Sequence, residues 1–159
     1  FAAACQFPEA RVDLADILPA AREIAGRNIQ RYSLSDRVQA IESDLFDELE
    51  GTYDLILANP PYVDAEDMAE LPPEYQHEPV LGLAAGPDGL ELMNRILRDA
   101  HRYLAPDGVL VGEVGNSQAA LEEAFPGLPF TWLEFENGGH GVFVLDAEAL
   151  QGLDESETG

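Results

Sequence analysis

Three polar side chains in this sequence stand where predicted β-strands end, and their types suit a nucleoside and an amide. Asp16 ends the run RVDLAD, Asp44 follows VQAIES, and Asn59 follows YDLILA. In an open α/β sheet, ligands bind beyond the carboxyl ends of the strands. One carboxylate can accept both hydrogen bonds of a ribose diol, and the other can accept from an adenine amino group, with Leu45 as an apolar face for the ring. Taken singly, each Asp is more typical of a helix cap or a turn.

The stretch DLILANPPYV, residues 54–63, gives the third position a more specific chemistry. Pro60 and Pro61 end the strand because neither has an N–H to donate. The side-chain oxygen of Asn59 and the carbonyl of Pro60 are then two fixed acceptors for the two hydrogens of a planar –NH2 group, and the Tyr62 ring can cover its flat face. An –NH2 conjugated to a carbonyl is a poor nucleophile, so such a site must supply placement and stabilise developing positive charge. The alternative is a Pro-Pro turn that only ends a strand.

Composition narrows the classes of function. The chain has 159 residues, 46% of them hydrophobic, which fits one ordinary domain. All 8 basic residues are arginine, against 31 acidic ones, for a net charge of −23. Because the chain has no lysine, it cannot form a lysine Schiff base or supply the lysine of a phosphate-binding loop. A surface this negative also disfavours binding of nucleic acid. A basic protein partner fits better, although an acidic, lysine-free surface also suits a salty cytoplasm.

The sequence also predicts where the protein acts and what it does not bind. No stretch approaches the roughly 20 apolar residues that a membrane span needs, and residue 1 does not open a signal segment, so we expect a cytoplasmic protein without membrane contact. Cys5, the only cysteine, follows three alanines and is predicted to be a small core residue. The three histidines, at 77, 101 and 140, lack a ligand-like spacing, so no metal is expected.

Short β-rich runs alternate with helical segments, which is typical of an α/β fold with a mostly parallel sheet. The turn-rich link ENGGHG between the last two strands predicts an antiparallel C-terminal edge. Strands are predicted at 11–15, 38–41, 53–58, 108–114, 130–135 and 141–145, and helices at 19–31, 90–104 and 118–125.

The domain organisation predicted from these elements is one catalytic domain over residues 1–150 and a flexible tail over 151–159. The acidic, Pro-rich connection 63–88 is interpreted as a loop that covers the substrate. The opening FAAACQFPEA resembles the end of a helix that runs into a turn, with no Gly-rich turn before it. A doubly wound sheet places such a turn after its first, central strand, so we expect that strand and the Gly-rich loop to be missing from this chain.

The motifs resemble a known family. NPPY, residues 59–62, is similar to the motif of the S-adenosylmethionine-dependent amino methyltransferases of the Rossmann-like class. The stretches at 59–90, 108–118 (GVLVGEVGNSQ) and 129–145 (PFTWLEFENGGHGVFVL) resemble the protein-glutamine methyltransferases, in the branch that acts on the third protein of the large ribosomal subunit. The release-factor branch shares NPPY but is not associated with the EVGNS and FTWLEFE stretches.

The resemblance implies a class I methyltransferase fold, S-adenosylmethionine as cofactor, and a glutamine of a large-subunit ribosomal protein as substrate. Carried over by position, the ribose-binding acid is Asp16, the adenine-side acid is Asp44 with Leu45 beside it, and the amide is held by Asn59 and the Pro60 carbonyl, with Tyr62 lining the slot. Asn59 then also borders the cofactor. The resemblance implies no metal, and the sequence leaves homodimer formation open.

Three other functions remain open at this point. One is methylation of a release factor, and another is methylation of a nucleic-acid amine, which needs a basic groove and access to the base. The third is a non-catalytic fragment that keeps the fold, which the missing Gly-rich loop would favour. We expect this chain by itself to be inactive if that loop is required for binding the cofactor.

Overall fold

A computed structural model describes residues 1–60, 90–136 and 139–156, which form two compact units, Phe1–Gly51 and Thr52–Gly159. The helices are α1 (Ala2–Gln6), α2 (Pro19–Arg31), α3 (Glu91–Asp99), α4 (Gln118–Ala124) and α5 (Ala147–Ser156), with short 3-10 turns at Ala100–Arg102 and Gly115–Ser117. The strands are β1 (Val12–Asp16), β2 (Val38–Glu42), β3 (Tyr53–Ala58), β4 (Leu104–Glu113), β5 (Thr131–Leu133) and β6 (Val142–Asp146).

The first unit, Phe1–Gly51, is built on two parallel strands joined by a helix. β1 pairs with β2 from Val12 opposite Val38 to Asp16 opposite Glu42. Pro19 begins α2 at its first helical position, where its missing N–H costs nothing and its fixed φ suits the helix. Buried side chains from α1, α2, the turn after α2 and β2 form the core of this unit: Ala4, Ile29, Leu34 and Val38. This β-α-β arrangement brings the carboxyl ends of both strands to one edge.

The second unit, Thr52–Gly159, has a four-stranded sheet in the order β3-β4-β6-β5. β3 and β4 are parallel, while β6 is antiparallel to both β4 and β5. The predicted α/β class and the antiparallel C-terminal edge are therefore confirmed. Each of the predicted strands is present, with ends that differ by a few residues.

The main difference in this sheet lies at the start of β4. The sequence predicted a helix to residue 104 and a strand from 108, but β4 already begins at Leu104. Leu104 lies opposite Tyr53, whereas Val109 lies opposite Leu55, so the strand bulges between these two pairs. Pro106 lies within the bulge, where a missing N–H is tolerated. Gly108 is required there, because a Cβ at this position would come 2.7 Å from the Tyr53 carbonyl oxygen.

Two further expectations differ from the structure. Helix α5 occupies residues 151–156 of the stretch for which we expected a flexible tail. Its first turn is fixed because Asp146 Oδ1 accepts the Ala149 N–H at 2.8 Å and because Leu150 is fully buried. Cys5 is exposed rather than in the core, since Ala4 is the residue of α1 that faces inward.

Other predictions fall on residues that the structure does not describe. The expected substrate loop at 63–88 lies within residues 61–89, and residues 157–159 of the expected tail are likewise outside the described part. Among the helices of the described residues, none has the length and apolar character that crossing a bilayer requires.

An aromatic cluster fixes the second sheet at the strand next to β4. Phe143 of β6 is fully buried, and its ring lies edge-on to those of Phe130 and Trp132, with centroid distances of 5.2 and 5.5 Å. Gly112 of β4 lies directly under the Phe143 ring, where an added Cβ would come 2.7 Å from Cε1. The ring therefore occupies the space that any other residue at 112 would need.

Gly112→Ala is expected to lower the free energy of unfolding by about 1–3 kcal/mol, because the buried Phe143 ring must move to admit the new methyl group. Gly127→Ala is the matched control in the same unit, since a Cβ added at Gly127 would have nothing within 4 Å. Urea unfolding of both variants measures the difference. Equal unfolding midpoints for the two variants would contradict this packing.

Candidate cofactor and amide site

Asp16 lies in the turn between β1 and α2, and its carboxylate shapes that turn. Asp16 Oδ1 accepts the backbone N–H of Leu18 at 2.8 Å, a local turn of the kind that Asp favours. No other hydrogen bond to this carboxylate is formed within the described part of the chain. The Asp16 side chain is half-buried. The local bond therefore fixes the direction of the carboxylate and leaves one oxygen for a ligand, so the turn role and the predicted ribose role are compatible.

Asp44 and Leu45 lie in the turn that follows β2, two and three residues beyond the last paired position. Leu45 has φ of +53°, a left-handed conformation that costs a non-glycine residue roughly 1–2 kcal/mol. Ser43, which is buried, holds the turn in place: its hydroxyl donates to the Leu45 carbonyl at 2.9 Å and accepts the Glu48 N–H at 3.1 Å. A strained residue held in this way is a reason to suspect a function for the turn.

Asn59 and Pro60 lie in the second unit, directly after β3. Ala58, the last residue of β3, is paired with Gly112 of β4, so the chain leaves the sheet at Asn59. The Asn59 side chain is exposed and Pro60 is half-buried. Asn59 thus has its amide outside the core, as an amide-binding role requires.

The turn after β4 ends at the same edge of this sheet. Gly115 and Gly141 approach so closely that a Cβ on Gly141 would come 2.6 Å from the Gly115 nitrogen, and both have positive φ. The Val114 N–H donates to the Gly141 carbonyl at 2.8 Å. Asn116 Oδ1 lies 2.7 Å from Nε2 of His140. These contacts fasten the turn after β4 to the start of β6, beside the strand that carries Asn59.

The structure thus places the predicted residues in two groups. Asp16, Asp44 and Leu45 follow the carboxyl ends of two paired parallel strands in the first unit, and Asn59 with Pro60 follows β3 in the second. Tyr62 lies outside the described residues.

The first group has the hydrogen-bond acceptors that an adenosine needs. The second carboxylate oxygen of Asp16 suits a ribose diol, and a second acid with an apolar neighbour suits an adenine edge and face. These residues therefore fit a nucleoside cofactor. The second group offers a side-chain oxygen and a backbone carbonyl, which suit an –NH2 group.

Two residues that shape the first group were missed by sequence reasoning. Ser43 is not distinguishable from an ordinary residue after a strand, since its two hydrogen bonds depend on the turn. Arg22 donates to backbone carbonyls in the turn that carries Asp16. The sequence did offer one signal for Arg22: it is an arginine in the first turn of a helix that begins soon after a strand ending in Asp.

Comparisons with known proteins show similarity to methyltransferases. The family model described as Methyltransferase small domain matches residues 1–71. The ribosomal protein uL3 glutamine methyltransferase of Neisseria gonorrhoeae is 51% identical over 146 residues, which are 92% of this chain and 49% of that protein. The protein of the same name from Francisella tularensis is 52% identical over 145 residues, 91% of this chain and 46% of that protein. This chain thus spans about half the length of these curated relatives.

The fold is also that of solved methyltransferases. A methyltransferase from Pyrococcus furiosus superimposes with a TM-score of 0.63 at 20% sequence identity, over 91% of this chain and 66% of that one. At this level of identity the likeness concerns the fold, which is the predicted Rossmann-like, class I methyltransferase fold.

Ser43→Ala is expected to cost about 1–2 kcal/mol of stability, because it removes the hydroxyl that bonds both the Leu45 carbonyl and the Glu48 N–H. Ser35→Ala, at an exposed position, is the control. Urea unfolding of the two variants measures the difference. A loss for Ser43→Ala no larger than for Ser35→Ala would show that the hydroxyl does not hold the Leu45 turn.

Proposed function

Because the chain belongs to the methyltransferase family that includes the ribosomal protein uL3 glutamine methyltransferases, we propose that its full-length protein methylates a glutamine of a ribosomal protein. The methyl donor is S-adenosylmethionine, and the acceptor is the side-chain amide nitrogen. The observation that carries this proposal is the identity of 51% over 92% of the chain to a relative of that name. A ribosomal-protein substrate places the reaction in the cytoplasm.

The residues of the first unit bind the cofactor in this proposal. Asp16 accepts the hydrogen bonds of the ribose hydroxyls, Asp44 accepts from the adenine amino group, and Leu45 packs on the ring. When bound, S-adenosylmethionine supplies an electrophilic methyl group on its sulfonium. The support for these roles is the placement of the three residues after neighbouring parallel strands, where ligands of α/β folds bind.

The residues after β3 hold the substrate amide. The Asn59 side-chain oxygen and the Pro60 carbonyl each accept one N–H of the glutamine –NH2 group, and Tyr62 covers its flat face. Both acceptors stabilise the positive charge that develops on nitrogen, and fixed dipoles of this kind are worth about 10²- to 10³-fold in rate per group. No strong base is needed, because the proton leaves after that charge has developed.

Other functions have less support. The names of the similar proteins favour a ribosomal protein over a release factor. A nucleic-acid substrate needs a positively charged groove, which is hard to build from 8 arginines among 31 acidic residues. The same charge favours a basic protein as substrate, since opposite charges speed the encounter of two proteins.

Mass spectrometry of the large-subunit proteins tests the proposed substrate. In a strain that lacks the full-length protein, one of these proteins is expected to lose the mass of one methyl group, and a plasmid copy is expected to restore it. Fragmentation of that protein identifies the glutamine. Unchanged masses for every large-subunit protein would overturn the proposal, while a methyl group lost from a release factor would favour the other branch.

Asn59→Ala and Asp16→Ala in the full-length protein test the proposed amide-binding and cofactor-binding roles separately. Asn59→Ala is expected to lower turnover by about 10²- to 10³-fold with cofactor binding largely kept, because it removes an amide acceptor. The main expected effect of Asp16→Ala is weaker cofactor binding. Calorimetric titration with S-adenosylmethionine and steady-state rates measure both effects. Turnover of Asn59→Ala within a few-fold of wild type would show that the amide is held elsewhere, and an unchanged dissociation constant for Asp16→Ala would refute its ribose role.

A further inference from the structure

Arg22 joins the two cofactor-facing turns of the first unit. It lies in the first turn of α2, and its side chain is only 18% exposed. Nη1 donates to the backbone carbonyls of Asp16 at 3.2 Å and Ile17 at 2.9 Å. Nη2 donates to the Glu42 carboxylate at 2.5 Å. One guanidinium therefore bridges the end of β1 and the end of β2.

The three acceptors sit where the turns depart from the sheet. Asp16 and Glu42 are opposite each other in the last register position of β1 and β2. The Ser43 N–H also donates to the Asp16 carbonyl, at 3.4 Å, so this carbonyl has two donors. The pairing of β1 with β2 ends at Asp16 and Glu42. The hydrogen bonds of Arg22 to these two residues add one more link between the strands at this end.

The geometry requires an arginine rather than any cation. A guanidinium presents several N–H groups in a rigid plane and can donate to separate acceptors at once, whereas an ammonium is a compact point charge. The ion pair itself contributes little, since the Glu42 side chain is 73% exposed and exposed pairs are worth about 0–1 kcal/mol. The bonds to the two carbonyls are therefore the ones that hold the backbone around Asp16.

We propose that Arg22 is a positioning residue for the cofactor site: it holds the backbone of Asp16 so that the Asp16 carboxylate faces the ribose. This inference rests on the proposed function and deepens it. Arg22 acts through Asp16, because three of its N–H groups already donate to the carbonyls of Asp16 and Ile17 and to Glu42. Together with the Leu18 N–H on Asp16 Oδ1, it fixes this residue from both its backbone and its side chain.

Arg22→Ala in the full-length protein is expected to raise the dissociation constant for S-adenosylhomocysteine about tenfold, with turnover at saturating S-adenosylmethionine within about threefold of wild type. Arg22→Lys is expected to recover only part of the affinity, since one ammonium cannot serve all three acceptors. Arg27→Ala is the matched control on the same helix, because Arg27 makes an exposed pair with Glu23 four residues away. Calorimetry measures the affinity. Steady-state kinetics show whether the change appears in KM or in kcat.

A double-mutant cycle with Asp16→Asn tests whether Arg22 acts through Asp16. If it does, the losses of affinity in Arg22→Ala and Asp16→Asn are less than additive, because the second change removes a contact that the first has already misplaced. Additive losses would overturn the inference. So would full recovery by Arg22→Lys, which would point to charge alone, or lower thermal stability with an unchanged dissociation constant, which would point to a purely structural role.

The wild-type titration distinguishes this inference from the proposed function. If the wild-type protein binds neither S-adenosylmethionine nor S-adenosylhomocysteine, the proposed function is wrong and the inference falls with it. If the wild type binds both and Arg22→Ala binds them equally well, only the role of Arg22 is wrong. Weaker cofactor binding by Arg22→Ala, with unchanged binding by Arg27→Ala, supports both the proposed function and the role of Arg22.

Discussion

The end of strand β3 is the constraint on which the account depends. Pro60 and Pro61 have no N–H to donate, so the ladder with β4 stops at Ala58, and the next residue leaves the sheet. Asn59 is exposed at that point instead of packing into the core. We propose that its side-chain oxygen and the Pro60 carbonyl act as fixed dipoles, which cost little to order on binding. The proposed chemistry follows from this geometry.

The two turns of the first unit that we propose to bind the cofactor are fixed in another way, by short hydrogen bonds. Asp16 is held by the Leu18 N–H, and Leu45 is kept in its left-handed conformation by the buried Ser43 hydroxyl. Arg22 then connects the two strand ends. All of these bonds form within the first unit, which means that the turns can keep their shape before a ligand arrives.

Much of this arrangement was predictable because it depends on local patterns. The alternation of β-rich runs with helical segments predicted the strands, and the residues after each strand predicted where polar groups would lie. The bulge at the start of β4 was not predictable, because it depends on the close approach of Gly108 to the Tyr53 carbonyl. The burial of Cys5 was mispredicted, since the inward face of a short helix is set by tertiary packing rather than by its neighbours in sequence.

The roles of Ser43 and Arg22 were missed for a related reason. Their partners are largely backbone groups, which carry no sequence signature, and the bond from Arg22 to Glu42 exists only after β1 and β2 have paired. Side chains that touch ligands come from a small set of residue types at strand ends, whereas those that hold turns can be almost any polar residue. The contribution of Tyr62 stays a prediction from the motif.

The most direct test of the account is a crystal structure of the full-length protein with S-adenosylhomocysteine and a glutamine-containing peptide of its substrate. The account predicts that the glutamine nitrogen lies within about 3.2 Å of both the Asn59 side-chain oxygen and the Pro60 carbonyl oxygen. It also predicts that the nitrogen faces the sulfur of the bound product. A glutamine amide bound away from Asn59 and Pro60, or held by neither of their oxygens, would contradict it.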